Sequence, residues 1–243
     1  MRQSAPRFYH PNVTAREAEL PVHLHVTPAV DTSQLSSSHS VLQQRCKRAI
    51  DLLGGALLLG FFAPLLTILY IVVKLDGGPA LFGHERVGNC GVMFKCWKFR
   101  TMVVNADRVL AELLARDPEA AAEWRRDFKL KNDPRITPLG RLLRLTSLDE
   151  LPQLWNVIRG EMSLVGPRPI VRDEMNRYGA QIFAYLSCRP GLTGLWQVSG
   201  RNDVSYAERV ALDAAYAAHW TIRGDLAIAL KTVGVMVNRS GAY

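Results

Sequence analysis

LLGGALLLGFFAPLLTILYIVV, the stretch from Leu52 to Val73, carries no charge. About 20 such residues are what a helix needs to cross the hydrocarbon core of a bilayer. A buried core helix is the alternative reading, but one so uniformly apolar requires a larger protein around it. Pro64 stands in the middle, where proline removes a backbone donor and kinks a helix. Basic residues flank both ends: Arg45, Lys47 and Arg48 before, and Lys74, Arg86, Lys95, Lys98 and Arg100 after. Basic flanks favour the cytoplasmic side. A straight span exports one of them, so a kinked re-entrant hairpin meets the charge rule better. The residues alone leave both topologies open.

Upstream, residues 1–44 read as a disordered cytoplasmic tail. They show no sustained apolar period and contain a polar, Ser-rich run from Asp31 to Ser40. The basic start, apolar run and cleavage site of a signal peptide are not seen there. Residues 45–76 read as the re-entrant membrane helix. Asp76-Gly77-Gly78-Pro79 marks the boundary with a cytosolic body over 77–243.

The 243 residues are enough to bury a core, and 48% of them are apolar. A formal charge of +8 points to anionic partners: nucleic acid, a membrane face or a phosphorylated substrate. Four cysteines without a Cys-x-x-Cys pair exclude a disulfide scaffold and argue against a structural zinc site. Within the body, residues 80–87 and 92–99 flank Gly88-Asn89-Cys90-Gly91 and read as a β-hairpin. Residues 104–130 read as helix interrupted near Asp117-Pro118, and 139–145 and 149–158 as short helices. Gly166-Pro167-Arg168-Pro169 and Arg189-Pro190-Gly191 read as rigid loops. Residues 204–219 and 224–237 close the chain as amphipathic helices, with Arg223-Gly224-Asp225 as a helix start. The expected class is α+β, mostly helical, with a small β element.

Between Lys131 and Arg201 there are nine Arg and one Lys against six acidic residues. Arg is the side chain suited to bidentate phosphate contacts, and several of these sit in Gly/Pro-rich loops where rigid sites are built. A solvated basic face is the plainer account. No nucleic-acid module interleaves Lys and aromatics here, and the uncharged stretch conflicts with a nucleic-acid binder. Inside this field lies Thr146-Ser147-Leu148-Asp149-Glu150-Leu151-Pro152. Ser147-x-x-Glu150 fits a helix capping box, with Pro152 early in the helix. The functional alternative uses both carboxylates: one attacks phosphorus to form an acyl phosphate, the other holds Mg²⁺. Phosphate-loop, nucleophile-elbow and His-rich metal motifs are not seen.

These residues resemble a family: the bacterial sugar transferases, in their small monotopic, polyprenyl-phosphate phosphoglycosyl transferase form. The resemblance runs from about Arg45 to Val237. It rests on Lys47-Arg48-x-x-Asp51, Lys98-Phe99-Arg100-Thr101-Met102, Asp133-Pro134-Arg135-Ile136-Thr137, Arg144, and Ser147 to Gln153. It continues through Gly160 to Pro169, Arg189 to Gly194, and Gly200-Arg201-Asn202.

The resemblance implies transfer of a sugar 1-phosphate from a UDP-sugar to undecaprenyl phosphate with release of UMP. The sugar is expected to be galactose or glucose, and the step the first of exopolysaccharide synthesis at the membrane. It implies Asp149 as nucleophile and Glu150 as Mg²⁺ ligand, with Lys98, Arg100, Arg144, Arg168 and Arg201 on the substrate. It also implies a re-entrant helix in the bacterial inner membrane with the catalytic domain cytoplasmic. The expected partners are membrane lipid, downstream glycosyltransferases and a second copy of the chain, and no nucleic acid. Relatives often carry Ser before the kinking proline; here Ala63 stands there, leaving the kink to Pro64 and packing. The competing reading is a non-catalytic basic adaptor that binds anionic lipid.

Overall fold

The computed structural model describes residues 40–127, 130–200 and 204–237; residues 1–39 of the tail and Arg201 lie outside them. The described residues open with one long helix, α1 (Val41–Lys74), which starts ahead of the expected boundary at Arg45. A local cap explains the early start: Ser40 Oγ accepts from Gln43 N, and Gln43 Oε1 accepts from Ser40 N. The helix continues through Pro64 without a break. Thr67 Oγ1 donates to Ala63 O at 2.9 Å, a back-bond that bends helices, so the local geometry does not rest on Pro64 alone. The apolar stretch is bare, with Phe61 75% exposed, which no soluble core helix would be.

The hairpin forms as expected. Strands β1 (Leu81–Val87) and β2 (Met93–Phe99) pair antiparallel from Leu81↔Phe99 to Val87↔Met93. Helices α2 (Ala106–Arg116) and α3 (Pro118–Asp127) follow, divided at Asp117. Then come α4 (Pro138–Thr146), a single 3₁₀ turn at Leu148–Glu150, and α5 (Gln153–Arg159). Short pieces succeed them: β3 (Ser163–Val165), α6 (Met175–Tyr178), α7 (Ile182–Leu186), β4 (Gly191–Thr193) and α8 (Leu195–Val198). Helices α9 (Tyr206–His219) and α10 (Ile222–Val237) end the described chain.

β3 and β4 form a parallel pair that the two loop readings did not anticipate. Three-residue strands carry no alternation to read. Gly191 is required there, because a Cβ would stand 2.1 Å from Gly166 N.

α1 is fastened to the body at both ends. Near its start Arg48 donates to Val157 O (2.7 Å) and Ile158 O (2.9 Å), and Lys47 donates to Val165 O (3.0 Å) and Asp225 (2.5 Å). Asp225 therefore does more than start α10. Near its end Leu69 and Val73 pack with Phe99 and Leu143. On α10, Leu226, Leu230 and Val233 are exposed along one side while Ile228 is buried, as an amphipathic helix requires.

Candidate active site

The Asp149-Glu150 pair sits in the 3₁₀ turn between α4 and α5. α4 starts on Thr137, whose Oγ1 accepts from Gly140 N. Gly140 lies against Thr101; any Cβ there would meet Thr101 O at 2.0 Å. α4 ends because Ser147 adopts a left-handed conformation (φ 57°), which turns the chain back. The capping box read at Ser147-x-x-Glu150 is not made. Ser147 is the C-cap of α4 and makes no side-chain cap bond, while Glu150 turns to Lys98. A side chain on β2, 52 residues earlier in the chain, outcompetes the local cap.

Asp149 is buried, at 8% exposure. Burial, then the neighbouring Glu150 charge, pushes its carboxyl up to about 6; Lys98 and Arg144 pull against that rise. Arg144 is half-buried, and its Nε donates to Thr101 Oγ1 at 2.9 Å, which sets the guanidinium's direction. Lys98 Nζ lies 2.5 Å from Glu150 Oε1, with both side chains about one-third exposed. The turn thus holds one sheltered carboxyl and one reachable carboxylate between two cations.

The other expected residues divide. Arg168 faces Glu174 (3.5 Å) and packs 5.8 Å from the Trp196 ring. Arg100 is consumed at the end of α1. It donates to Asp76 (2.7 Å), Val73 O (2.8 Å), Pro79 O (2.6 Å) and Met102 O (3.1 Å). Its guanidinium satisfies the Val73 carbonyl, one that a helix end leaves open.

A model of the bacterial sugar transferase family matches residues 42–239. The chain belongs to that family. This sugar transferase is 57% identical over 197 residues to the UDP-galactose-lipid carrier transferase of Erwinia amylovora, covering 81% of this chain and 41% of that protein. The undecaprenyl-phosphate galactose phosphotransferase of Salmonella typhimurium matches equally, 57% over 197 residues with the same 81% and 41%. The exopolysaccharide production protein ExoY of Rhizobium meliloti is 52% identical over 198 residues, covering 81% of this chain and 88% of that protein. The chain spans less than half the length of the first two relatives and most of the third.

Two residues of the sugar transferase, Arg86 and Asn156, hold the site together in a way that was not read from the sequence. Arg86 Nη1 donates to Pro169 O (3.2 Å) and so ties the Pro167-Arg168-Pro169 loop to the hairpin. Asn156, fully buried on α5, accepts from Trp97 N (3.0 Å) and donates to Lys95 O (2.7 Å), locking α5 to β2. Asn156, set between the apolar Trp155 and Val157 on a short helix, was the available signal.

Among the described residues no trio of His, Cys, Asp or Glu could enclose a metal. Mg²⁺ does not need one: it takes one or two carboxylates and completes its shell with water and substrate phosphate. The adjacent Asp149 and Glu150 carboxyls, the second partly exposed, fit that donor pattern and do not fit an all-protein zinc cage.

Proposed function

We propose that this sugar transferase moves a hexose 1-phosphate, galactose or glucose, from a UDP-sugar to undecaprenyl phosphate and releases UMP. It does so at the cytoplasmic face of the inner membrane, opening exopolysaccharide synthesis. The observation that carries this reading is the Asp149 carboxyl: buried, influenced by both Arg144 and Lys98, and beside a second carboxylate. A lipid-binding adaptor has no use for a carboxyl so placed. The names of the Erwinia and Salmonella relatives support the substrates. The attachment of both ends of α1 to one body supports re-entry of the helix on the cytoplasmic side.

In the first half-reaction an Asp149 carboxylate oxygen attacks the phosphorus that bears the sugar. The bond to the bridging oxygen breaks and UMP departs with that oxygen. In the second, an oxygen of undecaprenyl phosphate attacks the same phosphorus, the acyl-phosphate bond breaks, and the carboxylate is restored. Arg144, aligned by Thr101, stabilises charge on the transferring group. Lys98 holds Glu150 until substrate arrives, when Glu150 would turn to hold Mg²⁺, whose charge neutralises the diphosphate. The test is to mix enzyme with labelled UDP-sugar and no lipid. A stoichiometric burst of UMP, with label on the peptide containing Asp149, is expected. No burst, with intersecting double-reciprocal plots when lipid is varied, would establish direct transfer instead.

A further inference from the structure

Among the described residues four buried side-chain polar atoms have no hydrogen-bond partner: Trp196 Nε1, Gln197 Oε1, Tyr206 OH and Arg209 Nε. They lie on two neighbouring helices, α8 and α9. Trp196 and Gln197 are neighbours on α8, and Tyr206 and Arg209 share a face of α9 at i and i+3. The Arg209 guanidinium stands 4.4 Å from the Trp196 ring, with Arg168 at 5.8 Å from the same ring. Arg177 stands 4.5 Å from the Tyr206 ring. Buried polar groups in folded proteins are nearly always paired, and an unpaired one destabilises. Four together mark a place where a ligand completes the bonding.

We infer that this cluster holds the uracil ring of the donor nucleotide, an inference that rests on the UDP-sugar reading above. Trp196 Nε1 and Arg209 Nε only donate, the Gln197 carbonyl accepts, and the Tyr206 hydroxyl does either. The imide edge of uracil offers acceptor, donor, acceptor, which matches that set in kind. A phosphate offers acceptors alone and would leave Gln197 Oε1 unpaired. The location also fits. Arg86 and Lys98 share one face of the hairpin, and Phe94, the partner of Arg86, is four residues from Lys98, roughly 13 Å along the strand. Lys98 bonds Glu150 beside Asp149; Arg86 faces Glu174, Glu174 faces Arg168, and Arg168 meets Trp196. Paired charges, Lys98 with Glu150 and Arg86 and Arg168 with Glu174, line the way from the hairpin to the cluster. Trp196 and Arg209 are only partly buried, so rotation of side chains admits the base without unfolding.

The test uses the full chain in detergent micelles, titrated calorimetrically with UMP and with CMP, whose ring edge presents a different order of donors and acceptors. Wild type is expected to prefer UMP. Trp196→Phe and Tyr206→Phe, which keep the rings, are each expected to weaken UMP binding about tenfold, or ~1.4 kcal/mol. KM for the UDP-sugar should rise in parallel, while KM for undecaprenyl phosphate stays. Tyr206→Phe removes a single oxygen, so a folding defect in Trp196→Phe leaves the test intact. Equal affinity for UMP and CMP in wild type, or unchanged UMP binding in folded variants, overturns the inference. If wild type releases no UMP from any UDP-sugar, the functional reading itself has failed. If it releases UMP while the variants bind it normally, only the base site is lost.

Discussion

Ser163 Oγ donates to the buried carboxylate of Asp51 at 2.9 Å, joining the start of the apolar helix to the strand that leads into the Pro-Arg-Pro loop. Leu164 N donates to the same oxygen, also at 2.9 Å. Asp51→Ala leaves Leu164 N without its acceptor and Ser163 Oγ with only Val165 O, and should lower stability by about 2–3 kcal/mol, read as thermal unfolding in nanodiscs. Ser163→Ala should cost less, about 1 kcal/mol, because Leu164 N still holds the carboxylate. The two losses should not add; strict additivity would show that the pair is not coupled.

Asp149→Asn should abolish transfer and still strengthen the fold. Burial keeps the proton on Asp149 to a higher pH in the native state than in the unfolded chain. The ionised carboxyl therefore weighs on the native state above about pH 6, and that burden fades as pH falls toward 4. At pH 7 the variant should gain on the order of 2–3 kcal/mol, and the gain should vanish near pH 4. Denaturant unfolding at the two pH values measures this; a less stable variant at pH 7 would contradict it.

The pH profile of the UMP burst should show an acid limb near 6, with activity lost as pH falls and Asp149 takes up its proton. Lys98 lowers that value and Glu150 raises it. Residual activity in Lys98→Met should therefore show the limb at higher pH, and in Glu150→Gln at lower pH. Shifts of the opposite sign would mean that another group titrates.

Arg100→Ala should act on stability. Its guanidinium binds Asp76, the Val73 carbonyl at the end of α1, and the carbonyls of Pro79 and Met102. Loss of this cap is expected to lower stability by about 2–3 kcal/mol. KM for the UDP-sugar, measured below the melting range, should stay within about twofold of wild type. A large rise in KM with unchanged melting would return Arg100 to the substrate.

Thiol-reactive probes that do not cross the membrane should fail to label cysteines placed ahead of Arg45 in intact cells. Both ends of α1 are bonded to one body, and both flanks are basic. Pro64→Leu restores the backbone donor that proline lacks, favours a straight span, and should expose the same cysteines to the probe in part of the population. Labelling of the native tail would place it outside.

The hairpin, the break at Asp117-Pro118 and the two closing helices were legible because their signals are short-range: turn residues, proline, and periodic apolar positions. The carboxylate pair was legible as a motif, but its setting was not. Ser147-x-x-Glu150 has the letters of a cap, yet the left-handed Ser147 and the reach of Lys98 across 52 residues give Glu150 another partner. The parallel pair of β3 and β4 escaped for the same reason, since Ser163 and Gly191 become strand only by meeting each other.

Hydropathy is a property of consecutive residues, so the sequence by itself determined that Leu52–Val73 would form one long apolar helix. The division among the arginines was decided only in three dimensions. Arg100 and Arg144 look alike as letters in a basic field. One closes the end of α1 while the other is aimed by Thr101 toward the neighbourhood of Asp149. The raised proton affinity of Asp149 is likewise tertiary, because desolvation comes from groups packed around it and not from its neighbours in the chain alone. What an ionisable side chain does depends on which remote dipoles and charges fall within a few ångströms of it, and the chain order does not record those distances.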